Sequence, residues 1–413
     1  MTIMAALGLL LLAVLVFAGL SRRLEMSVVT MPIVFTALGY LAYLSGVEFF
    51  PEESEFEILH FLAEVTLVLV LFSDASRVRL AHLRLSGGIP ARLLLIGMPL
   101  AILLGTLMAH WVSPEQPWAL ALLVAAILTP TDAALGQAVV SDEAVPDNLR
   151  EGIAVESGLN DGLALPVVIM AALAAAEAAS LVDSNVAAAG PANLAAFGLA
   201  QVTLGPLVGV AVGALSAMLM DFAVRREWVT DAYLGIYFLS TAFLCFIAAE
   251  MIGGNGLIAA FIGGFTFGNV RNCQSQFVTE FMESEGQLLT MATFLVFGMV
   301  LAPVGLAHAS GQTFVLALAF LTVVRIVPVV LSLTGTGLRW RDKLFLGWFG
   351  PRGLASILFV LLVMDGFAFP GMEELIACVV LTVLISIVAH GISAFPIVKA
   401  FSASAKSDSV IAQ

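Results

Sequence analysis

Two short runs of this sequence set oxygen-bearing side chains among apolar residues. The first is Leu128-Thr129-Pro130-Thr131-Asp132-Ala133-Ala134 and the second Glu156-Ser157-Gly158-Leu159-Asn160-Asp161-Gly162. On a helix, Ser157, Asn160 and Asp161 (i, i+3, i+4) share one face, and Glu156 stacks over Asn160. That face offers a hydroxyl, an amide carbonyl and a carboxylate, the hard oxygen ligands taken by alkali and alkaline-earth cations. Pro130 has no N–H and disfavours helical angles at Thr129, so the helix is expected to break where Thr129, Thr131 and Asp132 sit. A proline kink whose freed carbonyls Thr129 and Thr131 satisfy fits the same residues. Broken backbone at membrane depth is tolerated only against protein or a water-filled cavity. A third run, Gly350-Pro351-Arg352-Gly353-Leu354-Ala355-Ser356, predicts a second interruption and carries a cation.

Charge balance connects these runs. Asp132, Glu156 and Asp161 need compensating positive charge if they are buried together. Arg325 and Arg352, the two arginines deepest in apolar segments, supply two charges; a metal ion or a proton must supply the third. If one arginine fixes Glu156, then Asp132 and Asp161 compete for H⁺ or a small metal ion, and one carboxylate cannot hold both. Asp142, Glu143, Asp147 and Glu151 follow the first run and raise the local cation concentration at that mouth. Asp74, Arg92, Glu177 and Glu250 lie near segment ends and read as snorkelling or interfacial groups, and Glu64 is a mid-segment charge without a role. A different chemistry for Asp132 and Asp161 is the acid/base dyad of an intramembrane aspartyl hydrolase. The Gly-x-Gly-Asp context of such a dyad is missing.

The elements that position these residues are membrane helices. The chain has 413 residues, 61% apolar and 11% charged, far from the half-apolar, quarter-charged composition of soluble domains. Apolar runs of about 20 residues, the length that spans a bilayer, give thirteen expected spans near 3–20, 27–45, 58–75, 88–112, 117–140, 151–178, 196–220, 231–250, 254–269, 286–307, 311–333, 344–364 and 375–396. The first lacks a preceding basic region and a cleavage site, so it is expected to be a retained helix. Gly253-Gly254-Asn255-Gly256 predicts a tight turn between two antiparallel helices. With the N-terminus outside, Arg22, Arg23, Arg77, Arg79, Arg84, Arg150, Arg225, Arg226, Arg271, Arg339, Arg341, Lys343, Lys399 and Lys406 fall on the inner side. The outer loops are acidic, with Glu48, Glu52, Glu53, Glu55 and Glu57 in one and Asp365, Glu373 and Glu374 in another. The expectation is an all-α polytopic protein of a single transmembrane transporter domain, residues 1–413, without a soluble regulatory domain. Spans five and twelve are both interrupted and lie at comparable places in two halves, the pattern of inverted repeats with a midplane site.

The net charge of −13 offers no basic stripe for nucleic acid. Cys245, Cys273 and Cys378 have no metal-binding or disulfide spacing. His60, His82, His110, His308 and His390 are scattered and read as interfacial or packing residues. No cofactor is expected.

The runs around Thr129-Pro130-Thr131-Asp132 and Glu156 to Gly162, the glycines Gly253-Gly254-Asn255-Gly256 to Gly263-Gly264, Val324-Arg325-Ile326 and Gly350-Pro351-Arg352-Gly353 resemble, in order, the monovalent cation:proton antiporters of the NhaP-type sodium/proton exchanger branch. The resemblance implies a homodimer in the cell (inner) membrane, each protomer with a dimerisation domain and a mobile core domain. Unwound parts of the fifth and twelfth helices cross beside the site. Asp161 becomes the essential ion- and proton-binding carboxylate. Asp132, Ser157 and the Thr131 backbone are further ligands of Na⁺, or of Li⁺ or K⁺, and Asn160 holds the site together. Glu156 pairs with Arg325, with Arg352 as the alternative. The implied activity is Na⁺(Li⁺)/H⁺ antiport by alternating access, with K⁺/H⁺ antiport as the variant. Asn160 ahead of Asp161, in place of a second Asp, is similar to the electroneutral exchangers. Ala133 stands where many relatives carry a proline, leaving Pro130 alone to open the helix.

Overall fold

The computed structural model describes residues 3–24, 29–46, 55–79, 88–132, 135, 145–179, 191–271, 276–367 and 369–411. Outside these lie Ala133, Asp142, Glu143, Arg84, Glu48, Glu52, Glu53, Cys273 and His82, and with them most of the fifth span beyond Asp132. Among the described residues every element is helical. In chain order they are α1 (Ile3–Leu24), α2 (Met31–Leu44), α3 (Glu55–Arg77), α4 (Ile89–Val112), α5 (Trp118–Leu128), α6 (Asp147–Ala178), α7 (Pro191–Arg225) and α8 (Asp231–Glu250). They continue with α9 (Gly256–Val270), α10 (Gln276–Val296, running on through Ala302–Ala307), α11 (Gly311–Ser332), α12 (Trp340–Trp348), α13 (Leu354–Gly366) and α14 (Met372–Ile411). Among the described residues seven helical segments, in α4, α6, α7, α8, α10, α11 and α14, are long and apolar enough to cross a membrane by length and composition. Shorter apolar helices, α5, α9 and α13 among them, run beside these.

Helix ends depart from the expected spans where polar residues continue a helix beyond its apolar run. α10 begins at Gln276 and α14 continues to Ile411. Intrahelical bonds satisfy the backbone in either solvent, so hydropathy marks the apolar stretch and not the helix.

Prolines shape three helices. In α4 the wide π-turn Leu93–Gly97 lies just before Pro99, and in α10 the π-turn Phe297–Leu301 lies just before Pro303. A proline leaves the carbonyl four residues earlier without its partner and pushes against it, and a wider turn absorbs both effects. α11 is broken at Thr322, six residues before Pro328, where φ −118° and ψ −87° leave the helix.

Packing is set by small residues. α7 lies against α9 so closely that a Cβ at Gly209 or Gly213 would meet the backbone of Ala259 or Gly263. The opposite face of α9 approaches α3, with Gly264 against Phe72 and Gly268 against Ser76. Close backbone approach through small residues is how helices associate where apolar burial alone gives no preference. The expected tight turn joins α8 to α9: Gly253 takes φ +79°, Asn255 Oδ1 caps α9 by accepting from Ile258 N at 2.9 Å, and Glu250 Oε1 accepts from Gly256 N at 2.6 Å.

The ends of the helices sort into two groups. At one end Arg79 Nη1 donates to Arg271 O, tying α3 to the end of α9, and Arg92 Nη1 donates to Ser332 O (3.1 Å) and Thr334 O (2.8 Å) at the end of α11. At the other end His60 of α3 lies 3.6 Å from Asp365 of α13, and His308 after α10 lies 3.3 Å from Glu373 of α14.

Candidate functional site

α5 stops at Leu128 and the chain leaves the helix through Thr131 and Asp132. α12 stops at Trp348 and α13 starts at Leu354, so Phe349 to Gly353 form the second gap. The two gaps cross and satisfy one another. Asp132 N donates to Pro351 O at 2.8 Å, and Leu354 N donates to Asp132 Oδ2 at 2.6 Å. Arg352 Nη1 donates to Pro130 O at 3.1 Å, and Ser356 Oγ donates to Ile127 O at 2.9 Å. Thr129 Oγ1 turns back to Ala125 O at 2.6 Å, taking up a carbonyl of the last turn of α5. Unsatisfied backbone groups cost several kcal/mol each in hydrocarbon, so two breaks that pair with each other can persist where either alone could not.

The crossing also fixes charge. Asp132 receives the N-terminus of α13, whose exposed N–H groups and dipole favour an anion. A Cβ on Gly353 would overlap the Asp132 carboxylate, and one on Gly350 would overlap the Arg325 guanidinium. Both glycines therefore fit the gap by their lack of a side chain.

α6 passes unbroken behind the crossing and presents the second run. Glu156, Ser157, Asn160 and Asp161 are all buried. Asn160 Nδ2 donates to Thr131 Oγ1 at 2.6 Å, and Thr131 Oγ1 and Ser157 Oγ share a hydrogen bond of 3.1 Å. Asn160 thus ties α6 to the non-helical part of the fifth span and leaves its Oδ1 buried without a hydrogen-bond partner. Asp161 Oδ1 is likewise buried and unpartnered.

Of the two arginines, Arg325 is the one on Glu156. Its guanidinium makes a two-armed pair, Nη2 to Oε2 at 2.8 Å and Nη1 to Oε1 at 2.5 Å, and Nη2 also reaches Leu346 O at 3.2 Å. Arg352 is fully buried and sits at the crossing, with its Nε and Nη2 unpartnered and its charge felt by Asp161. Glu156 is therefore neutralised by a fixed pair. Asp132 accepts from the N-terminus of α13, and Asp161 feels the charge of Arg352 with its Oδ1 left unpartnered.

Residues 9–400 match the family model described as sodium/hydrogen exchanger, transmembrane. The chain belongs to the sodium/hydrogen exchanger family. The K(+)/H(+) antiporter NhaP2 of Shewanella baltica (strain OS223) is 24% identical over 394 residues, covering 94% of this chain and 65% of that relative. The K(+)/H(+) antiporter NhaP of Alkalimonas amylolytica is 25% identical over 360 residues, covering 86% of this chain and 59% of the relative. The chain thus spans less than two thirds of the length of these relatives. The structure of the sodium proton antiporter MjNhaP1 from Methanocaldococcus jannaschii at pH 8 superposes with a TM-score of 0.75 at 18% identity, covering 97% of this chain and 98% of that one. At that identity the likeness is one of fold.

A further carboxylate, which the sequence places near a segment end, lies beside the crossing. Asp74, near the end of α3, lies close enough for its charge to act on both Asp132 and Asp161, with Arg77 beside it. Its backbone and Cβ lie against Gly158 of α6. The signal was the polar run Ser73-Asp74-Ala75-Ser76, which places two buried serines around the carboxylate in an otherwise apolar helix. Glu64 lies elsewhere. It lines a small cavity of about 10 Å³ with His60, Leu67, Leu257, Leu358, Leu361 and Leu362.

Proposed function

We propose that this exchanger is a secondary antiporter that trades one monovalent cation for one proton at Asp161 by alternating access. The observation that carries the reading is the crossing of two helix interruptions beside Asp161, a buried carboxylate whose Oδ1 has no hydrogen-bond partner. Asp161 Oδ1 and Asn160 Oδ1 accept no hydrogen bond, and Asn160, Thr131 and Ser157 are joined to one another by hydrogen bonds. A dehydrated Na⁺ or Li⁺ takes such oxygens as ligands. A proton on Asp161 removes the charge that holds the cation, so the two occupants exclude each other. Asp132, Ser157, Asp161 and the Thr131 backbone are the proposed cation ligands. Asn160, Thr129 and the Glu156–Arg325 pair hold the geometry, and Arg352 anchors the crossing. K⁺ is the nearest alternative, favoured by the names of the two curated relatives, while the structural relative is a sodium antiporter.

The proposed setting is a homodimer in the cell membrane with the N-terminus outside and the C-terminus in the cytoplasm, each protomer having a dimerisation part and a mobile core. The grouping of helix ends supports this sidedness: Arg79, Arg92 and Arg271 gather at one end, and His60, Asp365, His308 and Glu373 at the other. The hydrolase reading loses its footing, because Asp132 Oδ2 is taken by the N-terminus of α13.

Proteoliposomes carrying an inside-acid pH gradient test the proposal. Addition of Na⁺, Li⁺ or K⁺ outside should dissipate the gradient with wild type, the three cations ranking the selectivity. Asp161→Asn should abolish the response to all of them. A fully active Asp161→Asn sinks the reading.

A further inference from the structure

In an unbroken helix the carbonyl of Trp348 would accept from the amide of Arg352, four residues on. The gap after α12 pulls these two groups apart; Arg352 is fully buried and Trp348 half-buried. Two side chains of α14 take their places. Arg352 N donates to Ser386 Oγ at 2.7 Å, and His390 Nε2 lies 2.9 Å from Trp348 O. Ser386 and His390 are one helical turn apart and meet at 3.1 Å through Oγ and Nδ1. A carbonyl can only accept, so His390 must carry a proton on Nε2. In the neutral ring Nδ1 is then bare and accepts from the Ser386 hydroxyl, while Nδ1 also lies 3.0 Å from Ser386 O. With the ring neutral and protonated on Nε2, the chain runs from the Arg352 amide through Ser386 and His390 to the Trp348 carbonyl; a second proton, on Nδ1, would donate to Ser386 O.

Other contacts keep the pair in place. Trp348 Nε1 donates to Ser393 Oγ at 2.9 Å, and the Trp348 and His390 rings lie 5.2 Å apart. Ser386, His390 and Ser393 (i, i+4, i+7) form a polar stripe on α14 facing the end of α12. Trp348 O also closes a short turn with Gly350 N at 2.8 Å.

We propose that His390, acting with Ser386, is a positioning residue for cation binding: the pair replaces the missing 352-to-348 helix bond and so sets the width of the gap. This rests on the antiport reading above. The width of the gap decides where the side chain of Arg352 and the amide of Leu354 point, and these two hold Pro130 O and Asp132 Oδ2. Without the clamp, Arg352 N loses its buried partner, Trp348 O keeps only its short turn with Gly350 N, and the N-terminus of α13 is free to shift away from Asp132.

The test compares His390→Leu, Ser386→Ala and His390→Gln in the full chain. A glutamine can donate to Trp348 O and accept from Ser386 through one amide. Cation-dependent proton exchange in proteoliposomes should show an apparent KM for the transported cation raised about tenfold by His390→Leu, the scale on which residues supporting the ligands of a cation act. Ser386→Ala should move KM in the same direction, and His390→Gln should restore it to near wild type. A KM unchanged in His390→Leu, with only the yield or melting temperature lowered, overturns the proposal and leaves a packing role. Amide hydrogen exchange over residues 350–356 gives a readout independent of transport. His390→Leu and Ser386→Ala should speed exchange at Arg352 and Leu354, and unchanged protection there overturns the clamp even if no transport is found. Failure of the antiport reading itself shows separately, as a wild type that exchanges none of the three cations.

Discussion

Glu156 and Arg325 are 4% and 5% exposed, and each satisfies the other with two hydrogen bonds. A buried pair of this kind gains little over an apolar replacement, but removing one partner strands the other charge at a cost of about 3–5 kcal/mol. Glu156→Gln should therefore lower the unfolding temperature in detergent sharply, and adding Arg325→Met should recover most of the loss. Equal instability of the single and double variants would show that the pair matters for something other than charge cancellation. The choice between Arg325 and Arg352 as partner could not be read from the sequence. Both arginines lie in apolar runs, and which one faces α6 depends on how the chain turns between Phe349 and Gly353. The face of Ser157, Asn160 and Asp161 was legible, because helical periodicity alone puts those three side chains together. Asp74 was missed for the opposite reason: its distance from the end of a helix says nothing about what packs against that end.

At the scale of elements, the crossing works because each interruption supplies what the other lacks. Gly353 is the tightest point, with no room for a Cβ beside the Asp132 carboxylate. Gly353→Ala should push that carboxylate off the Leu354 amide and raise the KM for the transported cation about tenfold or more. Gly366→Ala, at the far end of α13 where nothing lies within 4 Å of a new Cβ, should leave KM unchanged. The pair of variants, assayed side by side in proteoliposomes, separates a local clash from a general effect of alanine on α13. An unaltered KM in Gly353→Ala would mean that the carboxylate does not need its helix N-terminus. The gaps in the fifth and twelfth spans were legible because Pro130, Gly350, Pro351 and Gly353 are residues that cannot continue a helix comfortably. The π-turns before Pro99 and Pro303 and the break at Thr322 were not drawn from the sequence. A proline in a long helix forces some local distortion, but whether it becomes a kink, a wide turn or a break is decided by the helices packed around it.

For the whole molecule, the arrangement of charge leads to a statement about voltage. The two groups of helix ends, basic on one side and acidic with histidine on the other, fit the sidedness read from the lysines and arginines, because insertion sorts those residues by compartment. Contacts between distant spans were beyond that reading, since apolar stretches of similar composition do not reveal their neighbours. Within the membrane, Glu156 is held by Arg325 and Arg352 stays at the crossing, and the proposed exchanging group is Asp161, which follows Asn160 in the chain. Each passage of the site then carries either a cation or a proton on the same carboxylate, and the charge moved is equal in both directions. One net charge per cycle would couple to the membrane potential by about 2.3 kcal/mol per 100 mV, a shift of roughly fiftyfold in the cation gradient at which exchange stops. One-for-one exchange predicts no shift. Proteoliposomes clamped with a potassium gradient and valinomycin, tested with Na⁺ or Li⁺ as the transported ion, should reach balance when the cation and proton gradients are equal at any imposed potential. A balance point that moves with voltage would mean that a second proton is carried. Asp74, the remaining carboxylate within electrostatic reach of Asp132 and Asp161, is then the group to remove first.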